Sequence, residues 1–179
     1  MSILVVDTET TGFPPSCRMV QIAWRLYTKD GVFLNNECYI IKPDRYVIPE
    51  QCVKIHGIST EFAEKNGIDI NTVLTYLEDI IYKGAVEKVV AHNMKFDDAV
   101  IKSEISRSGN LELFNKWTNL NKECTMLMDA PKGQKWLKLA LLYEKCFGVP
   151  PNVKLHQADA DAQVCADIYF HLVNNRAIS

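Results

Sequence analysis

Two carboxylates follow a strongly apolar stretch near the start of the chain. In "ILVVDTETTGF" (3–13), four apolar residues run directly into Asp7, and Glu9 follows two positions later. Residues i and i+2 of a strand point to the same face, so both side chains are expected on one side of a mostly buried strand. An unpaired buried carboxylate is costly, so this pair requires either cationic partners or a bound metal ion.

A third carboxylate interrupts the apolar stripe of the last predicted helix, at 157–174. Cys165, Ile168 and Leu172 share one helical face, and Asp161 extends that face by one turn toward the N-terminus. The helical period therefore directs the side chain of Asp161 toward the core, where an apolar residue is expected.

The predicted helix at 96–107 repeats this pattern. Its apolar face contains Val100, Ile101 and Ile105, and Asp97 lies on the same face at the start of the helix. Three separate elements of the chain thus each direct a carboxylate toward a face that should be apolar.

The four carboxylates together predict a metal centre. No Arg or Lys falls on the same faces to neutralise them, whereas one central cation would neutralise all of them. Carboxylate oxygens are hard ligands of the kind that Mg²⁺ and Mn²⁺ prefer. We therefore favour a metal site formed by Asp7, Glu9, Asp97 and Asp161 over a structural network of ion pairs.

His156 precedes Asp161 by five residues. On a continuous helix the two would lie ~140° apart, but Pro150 and Pro151 delay the helix start and leave His156 in the preceding loop. From there it could act as a general base, since the reference pKa of histidine is about 6.5. An exposed loop histidine without a chemical role fits this pattern equally well.

The first third of the chain has the pattern of strands, and helices alternate with strands after it. Asp30 and Gly31 separate two of the strands, which predicts a hairpin and an antiparallel start to the sheet. The later alternation predicts an α/β fold in which helices cover a mixed sheet. The predicted strands are 2–8, 20–27, 32–41, 88–93 and 123–127, and the predicted helices are 61–65, 72–83, 96–107, 136–147 and 157–174.

Composition is typical of one intracellular globular domain, 1–179. Of the 179 residues, 47% are apolar and 23% charged, and the net charge of −2 argues against a basic coat for nucleic acid. Bound cations can nevertheless reverse the local sign at an acidic cluster. No apolar run approaches the ~20 residues that span a bilayer, no signal peptide is visible, and six dispersed cysteines are typical of reduced thiols. We therefore expect a cytoplasmic protein without membrane contact.

Three motifs and the segments between them resemble one known family. The motifs of the DEDDh 3′→5′ exonucleases are matched by "VVDTETTG" (5–12), "AHNMKFD" (91–97) and "HQADADA" (156–162). The connecting segments of its member, the proofreading epsilon subunit of bacterial DNA polymerase III, are matched by "IKPDRYVIPEQCVKIHGIST" (41–60) and "LKLALLYEKCFGV" (137–149). The resemblance covers nearly the whole chain and implies a ribonuclease H-like sheet, with the first three strands antiparallel and the later ones parallel.

The resemblance also implies a metal-dependent 3′→5′ exonuclease with two divalent ions, Mg²⁺ or Mn²⁺. The metal-binding quartet of the family is matched by Asp7, Glu9, Asp97 and Asp161, and its catalytic base by His156. Asp159 is excluded as a ligand, because the last acidic residue of the family lies five positions after the histidine and directly before an alanine, as Asp161 does.

Candidate substrate contacts come first from the same resemblance. His56 and Glu50 match positions that contact the terminal nucleotide in epsilon-type enzymes. The segment after the first metal motif adds Thr10 and Gly12, whose backbone amides follow the metal-binding strand.

Three further contacts are read from the residues themselves and remain open. The ring of Phe13 could stack on a terminal base, or it could be a core residue beside Pro14-Pro15. Asn93, at the end of its predicted strand, could line the site or satisfy backbone groups. The lysines of "PKGQKWLK" (131–138) could contact phosphates or form a solvated patch.

These features predict release of nucleoside monophosphates from single-stranded DNA 3′ ends, with proofreading as one context. The alternative is the same reaction on RNA ends or short oligonucleotides. A non-catalytic module that binds nucleic acid or a polymerase is a third hypothesis, against which the intact set of carboxylates and histidine argues. An epsilon-type subunit would carry a tail that docks onto its polymerase, and we expect no such tether here. Polymerase association, a dimer and action as a single chain are left open.

Overall fold

A mixed sheet organises the chain. The structure, a computed structural model, describes residues 1–130 and 135–176. The strands are β1 (Ser2–Thr10), β2 (Met19–Thr28), β3 (Phe33–Ile40), β4 (Val86–Ala91) and β5 (Asn121–Cys124). The helices are α1 (Glu50–His56), α2 (Thr60–Asn66), α3 (Ile70–Lys83), α4 (Met94–Ser108), α5 (Leu111–Asn119), α6 (Thr125–Asp129), α7 (Leu139–Phe147) and α8 (Ala158–Arg176). In this part of the chain, no helix combines the length and the apolar character that crossing a membrane requires.

The strand order β3-β2-β1-β4-β5 places β1 in the middle of the sheet. Strands β1, β2 and β3 are antiparallel, and the turn between β2 and β3 includes Gly31, whose φ of 85° suits a residue without Cβ. Strands β4 and β5 run parallel to β1, because helical segments cross over the sheet before each of them. The predicted ribonuclease H-like arrangement, antiparallel and then parallel, is confirmed.

Strand β1 is buried on both faces. Leu4 and Val6 belong to the main core, which α3, α4 and α5 cover on one side of the sheet. Ile3 and Val5 point to the other side, where they pack against α8 in a cluster that includes Tyr169. Apolar contacts on both faces therefore fix the first half of β1 between two layers of helices.

The second half of β1 extends beyond its parallel neighbour. The ladder between β1 and β4 ends at the pair Val5–Val90, and α4 begins at Met94, soon after β4 has ended. This leaves an opening beside the last residues of β1, at the carboxyl end of the parallel strands. Ligands of open α/β sheets bind at this end.

Several predicted boundaries are wrong, among them those of the strand predicted at 88–93, which lies two residues earlier, at Val86–Ala91. The strand predicted at 123–127 lies earlier, and Thr125–Asp129 forms α6 instead. Strand β5 ends there because its partner β4 ends at Ala91, which pairs with Cys124. The helix predicted at 136–147 begins only at Leu139, because the preceding Lys138 has extended backbone angles.

Besides α6, two helices of the described residues were not predicted, α1 and α5. The side chain of Asn110 accepts a 2.9 Å hydrogen bond from the Leu113 N–H at the start of α5. Leu113 and Trp117, one turn apart, form the buried face of this helix, so its pattern is present in the sequence. Helix α1 has seven residues, compared with nine in α5, and Cys52 and His56 are its buried residues.

Candidate active site

Asp7 and Glu9 continue the row of β1 side chains that faces α8. Ile3 and Val5 occupy the first positions of this row, and the two carboxylates follow because alternate residues of a strand share a face. Both carboxylate residues are partly buried. The apolar half of β1 thus holds the strand in place, and its far end carries the charges.

Small side chains bring the start of α8 close to these carboxylates. Ala158 and Ala162 pack on Ala23 of β2, the residue that pairs with Asp7. Asp161 lies in the first turn of α8 and is buried. It is close enough to Asp7 for its charge to raise the pKa of that carboxyl group.

Asp97 approaches from the other side of β1. It lies in the first turn of α4 and is only 4% exposed. The hydroxyl of Thr8 donates a 2.8 Å hydrogen bond to Oδ1 of Asp97. Thr8 points to the face of β1 opposite Asp7 and Glu9, so three consecutive residues of the strand contribute to one site.

His156 lies in the loop before α8, as its position after the two prolines predicts. Its φ of 64° is uncommon for a residue with a Cβ, although His adopts it more readily than most. Its backbone N–H donates to both carboxylate oxygens of Asp161 at 3.2 Å. One ring nitrogen of His156 and one carboxylate oxygen each of Glu9 and Asp161 lie within 4.8 Å of one another. The imidazole is exposed and lies beside the carboxylates.

Burial and mutual repulsion make these carboxyl groups reluctant to ionise. Burial is the main cause that raises the pKa of Asp97 and of Glu9, each to about 7. Burial, followed by the charges of its three neighbours, raises the pKa of Asp7 well above its usual value, and burial also raises the pKa of Asp161. Without a cation, the folded protein therefore holds its carboxylates together at a cost in free energy.

The site fits a divalent cation. Among the described residues, none of the four carboxylates pairs with a Lys or Arg. Arg25 pairs instead with Asp159 at 2.8 Å, which agrees with the exclusion of Asp159 as a ligand. The donor set of carboxylate oxygens with one imidazole nearby suits Mg²⁺ or Mn²⁺, whose charge would offset both the burial and the repulsion.

A cavity of about 300 Å³ opens beside the carboxylates. It is lined by Thr8, Glu9, Thr10, Gly12, Phe13, Gln51, Cys52, Ile55, His56 and Phe96. The ring of Phe13 is 82% exposed and stands edge-on to that of Phe96, with the ring centres 6.3 Å apart. The alternative in which Phe13 is a core residue is therefore wrong. Mainly apolar walls with a few polar groups are typical of a small-ligand site.

Comparison with known families identifies the chain. Residues 4–169 match the model of a family described as exonuclease, of the RNase T type. The chain belongs to this exonuclease family. The prediction drawn from the three DEDDh motifs is confirmed.

Several solved exonuclease I structures share the fold of this exonuclease-family chain. Exonuclease I from E. coli with a dA16 oligonucleotide is 21% identical with a TM-score of 0.79, over 98% of this chain and 41% of that one. A moderately thermophilic exonuclease I from Methylocaldum szegediense is 20% identical with a TM-score of 0.78, over 99% and 41%. The zinc-bound E. coli exonuclease I–ssDNA complex is 20% identical with a TM-score of 0.74, over 98% and 40%. The chain thus spans about two fifths of the length of these proteins. A comparison with curated proteins found no match.

Four of the predicted substrate contacts of this exonuclease domain line the cavity beside the carboxylates, and Glu50 does not. Thr10, Gly12, Phe13 and His56 line the cavity beside the carboxylates. Glu50 does not line it: its side chain is 82% exposed and pairs with Lys54 at 2.8 Å. The neighbouring Gln51 lines the cavity instead, because successive residues of a helix point about 100° apart.

His56 is held as a neutral ring in the wall of the cavity. It is 2% exposed, and its Nδ1 accepts a hydrogen bond from the Ile58 N–H at 3.1 Å. The ring proton therefore belongs on Nε2, which is buried and interacts with the backbone of Thr10, although no hydrogen bond of good geometry joins it to the described residues. Burial lowers the pKa of His56 and keeps the ring uncharged.

Asn93 lies at a second, adjacent cavity of about 290 Å³. Its lining also includes Phe13, Pro14, Lys95 and Phe96, so the Phe13 ring borders both cavities. Asn93 is the N-cap residue of α4 but makes no capping hydrogen bond with its side chain.

The lysine segment predicted at 131–138 is described only in part. Residues 131–134 lie outside the described residues, whereas Lys135 and Lys138 are exposed. A contact between this segment and phosphates stays a prediction.

Three functional positions were missed by reasoning from the sequence. A threonine between two carboxylates of a strand is ordinary, and nothing in the sequence indicates that Thr8 reaches Asp97. Gln51 was passed over in favour of Glu50. Phe96 meets Phe13 only through the fold, since 82 positions separate them, and only its place beside a metal motif could have drawn attention to it.

Proposed function

We propose that this chain is a metal-dependent 3′→5′ exonuclease that releases nucleoside monophosphates from single-stranded DNA ends. The observation that carries the proposal is the set of four carboxylates and one histidine. The carboxylates come from β1, α4 and the first turn of α8, and the histidine comes from the loop before α8. None of the four carboxylates has a Lys or Arg partner in the described part of the chain. Membership of the exonuclease family supports the same reaction.

Hydrolysis of a phosphodiester requires a water made nucleophilic and a leaving 3′ oxygen that is stabilised. Two divalent ions, when bound, supply both effects. The residues that would hold them are Asp7, Glu9, Asp97 and Asp161. The Thr8 hydroxyl fixes the orientation of the Asp97 carboxylate, and the backbone N–H of His156 fixes that of Asp161.

The His156 imidazole takes the proton from the attacking water. A neutral imidazole can do this at working pH, and an exposed one can return the proton to solvent. The loop before α8 supports this role, because the positive φ of His156 lets one residue bind Asp161 through its backbone and present its ring at the same site.

The 300 Å³ cavity is the proposed site of the 3′-terminal nucleotide. Its polar end includes Glu9 of the metal centre, and its apolar walls come from Phe13, Ile55 and Phe96. A base can stack on an exposed aromatic ring whatever its identity, which suits an enzyme that removes nucleotides in succession. The buried Nε2–H of His56 lies in the wall of the cavity and makes no hydrogen bond of good geometry to the described residues, so it can donate to an oxygen of the sugar or the base. Exonuclease I from E. coli, which shares this fold, has been solved as a complex with ssDNA and with dA16 and dT13 oligonucleotides, which supports single-stranded DNA as the substrate.

The decisive experiment compares nucleic acids directly. Single-stranded DNA, duplex DNA and RNA with labelled 3′ ends are incubated with the protein in Mg²⁺, Mn²⁺ or EDTA. We expect labelled mononucleotides from single-stranded DNA with either metal, and none in EDTA. Faster release from RNA would instead support the exoribonuclease alternative.

Two controls define the reaction. Circular single-stranded DNA has no 3′ end and should stay intact, whereas its degradation would indicate an endonuclease. The variant Asp7→Asn should lose nucleotide release, because it removes one charge from the centre of the site. A wild-type protein that binds DNA but releases nothing with any metal would revive the non-catalytic hypothesis.

Proofreading is a narrower hypothesis, supported by the resemblance of the connecting segments to the epsilon subunit. It predicts faster release of a mispaired than of a paired 3′ nucleotide from a primer annealed to a template. Equal rates on both ends would argue for general degradation of DNA ends.

A further inference from the structure

A second buried carboxylate of α4 lies outside the metal centre. Glu104 is 2% exposed, and its Oε1 accepts hydrogen bonds at 3.0 Å from Nε of Arg18 and from the Met19 N–H. Its charge is also paired with Arg107 at 2.9 Å. Its Oε2 is buried without a hydrogen-bond partner among the described residues. The contacts with Arg18, Met19 and Arg107 therefore all converge on one oxygen of this carboxylate.

These contacts hold the loop that carries Phe13. Arg107 donates from the same guanidinium to the carbonyl oxygens of Pro15, at 3.2 Å, and Cys17, at 3.0 Å. Glu104 itself binds Arg18 and Met19, where the loop enters β2. The carboxylate of Glu104 is thus linked to the loop between β1 and β2 at four residues. It binds Arg18 and Met19 directly, and it holds Pro15 and Cys17 through Arg107.

The same network reaches the opposite wall of the cavity. The guanidinium of Arg18 lies over the ring of Tyr46, 4.8 Å from its centre. The hydroxyl of Tyr46 donates to the Met19 carbonyl oxygen at 3.1 Å. Tyr46 packs in the small core of Ile48 and Cys52, and Cys52 belongs to α1, the helix that supplies the second wall.

We infer that Glu104 is a positioning residue that sets the distance between the two walls of the nucleotide cavity. The inference rests on the proposed function, because it assigns a role in holding the substrate of that reaction. Glu104 acts through Arg18 and Arg107 and makes no contact with the metal centre. A planar guanidinium holds a carboxylate and a second acceptor in fixed geometry, so the network is rigid as well as charged.

Stability alone does not require this arrangement. Buried ion pairs replaced by apolar side chains of similar volume are often neutral or stabilising. Here the charge holds the one loop that carries Phe13 and, through Tyr46, the segment that leads to α1. Its removal should therefore loosen the cavity and leave the four carboxylates unchanged.

The test measures KM and kcat for a short single-stranded DNA, together with the affinity for Mn²⁺ by electron paramagnetic resonance. The first variant, Glu104→Gln, keeps the shape of the side chain but removes its charge. The second is Arg107→Ala, and because Arg107 is partly exposed, this variant should disturb folding less than the change at Glu104. For both variants we expect KM to rise about tenfold, with kcat and Mn²⁺ affinity changed by less than about twofold. The control Asp79→Asn removes a surface ion pair with Lys83 on α3 and should leave all three quantities unchanged.

Each outcome has a distinct meaning. A fall in kcat and Mn²⁺ affinity with unchanged KM would overturn the inference, because it would assign Glu104 to the metal centre or to general stability. Unchanged KM in both variants would overturn it as well. A wild-type protein that cleaves no nucleic acid would contradict the proposed function itself, and with it the inference. The proposed function and the inference are both supported only if the wild type is active and KM alone rises in the two variants.

Discussion

Asp97 and Glu104 lie two turns apart on the same buried face of α4, and their charges are balanced in different ways. Glu104 meets Arg18 and Arg107 and completes an ion pair inside the protein. Asp97 meets the hydroxyl of Thr8 and, within the described part of the chain, neither a Lys nor an Arg. One helix thus provides an internal reference, because a carboxylate with two cationic partners and a candidate metal ligand without one lie on the same buried face.

Asp97→Asn should stabilise the metal-free protein and inactivate it. The amide has nearly the shape of the carboxylate and can still accept the hydrogen bond of Thr8, but it avoids the cost of a buried charge. We expect a higher free energy of unfolding in EDTA than for the wild type, measured by urea denaturation, and loss of Mg²⁺-dependent nucleotide release.

Glu104→Gln is the matched comparison for this prediction. The same chemical change weakens the hydrogen bonds that the buried side chain makes with two charged groups, and it should lower the free energy of unfolding by about 1–3 kcal/mol. If both amide variants were equally destabilised in EDTA, Asp97 would be a structural carboxylate and the metal assignment would be wrong.

The sequence predicted the elements that carry the site, but not the difference between these two carboxylates. Helical periodicity places Glu104 on the face of Asp97, so the same argument would have made Glu104 a metal ligand. The partners that decide the matter lie far along the chain, since Arg18 precedes Glu104 by 86 positions. The family motif contains Asp97 and not Glu104, so the resemblance separates two carboxylates that periodicity alone treats alike.

Errors in the predicted elements also depend on whether the deciding contacts are local in the sequence. Helix α5 was readable from Asn110 and the spacing of Leu113 and Trp117, because its cap and its buried face are both local. Strand β5 was not, because its length is set by the end of β4. The sequence also could not show that Gln51, and not Glu50, lines the cavity, because this depends on the rotation of α1 and therefore on tertiary packing.

The metal-free protein should lose stability as pH rises from about 4 to about 7. The carboxyl groups of Asp97 and Glu9 have a pKa of about 7 in the folded state, compared with about 4 in the unfolded chain. The folded state therefore binds more protons in this interval, and the free energy of unfolding falls until both groups are ionised. Urea denaturation in EDTA across this interval measures the slope.

Mg²⁺ should reverse this trend, because it binds the ionised form and becomes more stabilising as pH rises. The variant Asp97→Asn supplies the control for other titrating groups, and its slope in EDTA should be shallower than that of the wild type. Identical slopes for the two proteins would show that the carboxyl groups of the site are not the cause.

His156→Ala should lower kcat and largely spare metal binding. Loss of a general base costs on the order of 10²–10⁴-fold in rate, whereas the backbone N–H that holds Asp161 remains. A second variant, His156→Asn, should fold better than His156→Ala, because φ is 64° at this position and asparagine adopts positive φ more readily than alanine. Nucleotide release and Mn²⁺ affinity are measured for both. Activity near that of the wild type would contradict the role of base, and a large loss of Mn²⁺ affinity would make His156 a ligand instead.

Phe13→Ala should weaken DNA binding without affecting the fold. The ring is 82% exposed and borders both cavities, so it contributes little to the core but much to any base that stacks there. Stacking on an aromatic side chain contributes about 1–3 kcal/mol per base, so the Kd for single-stranded DNA, measured by fluorescence anisotropy in Ca²⁺, should rise about tenfold or more. Phe62→Ala is the matched control, because Phe62 is also exposed, at 50%, but lies on α2 and lines neither cavity. Both variants should keep the melting temperature of the wild type. Equal affinities for the two variants would remove Phe13 from the substrate site and leave His56 and Gln51 as the contacts to test next.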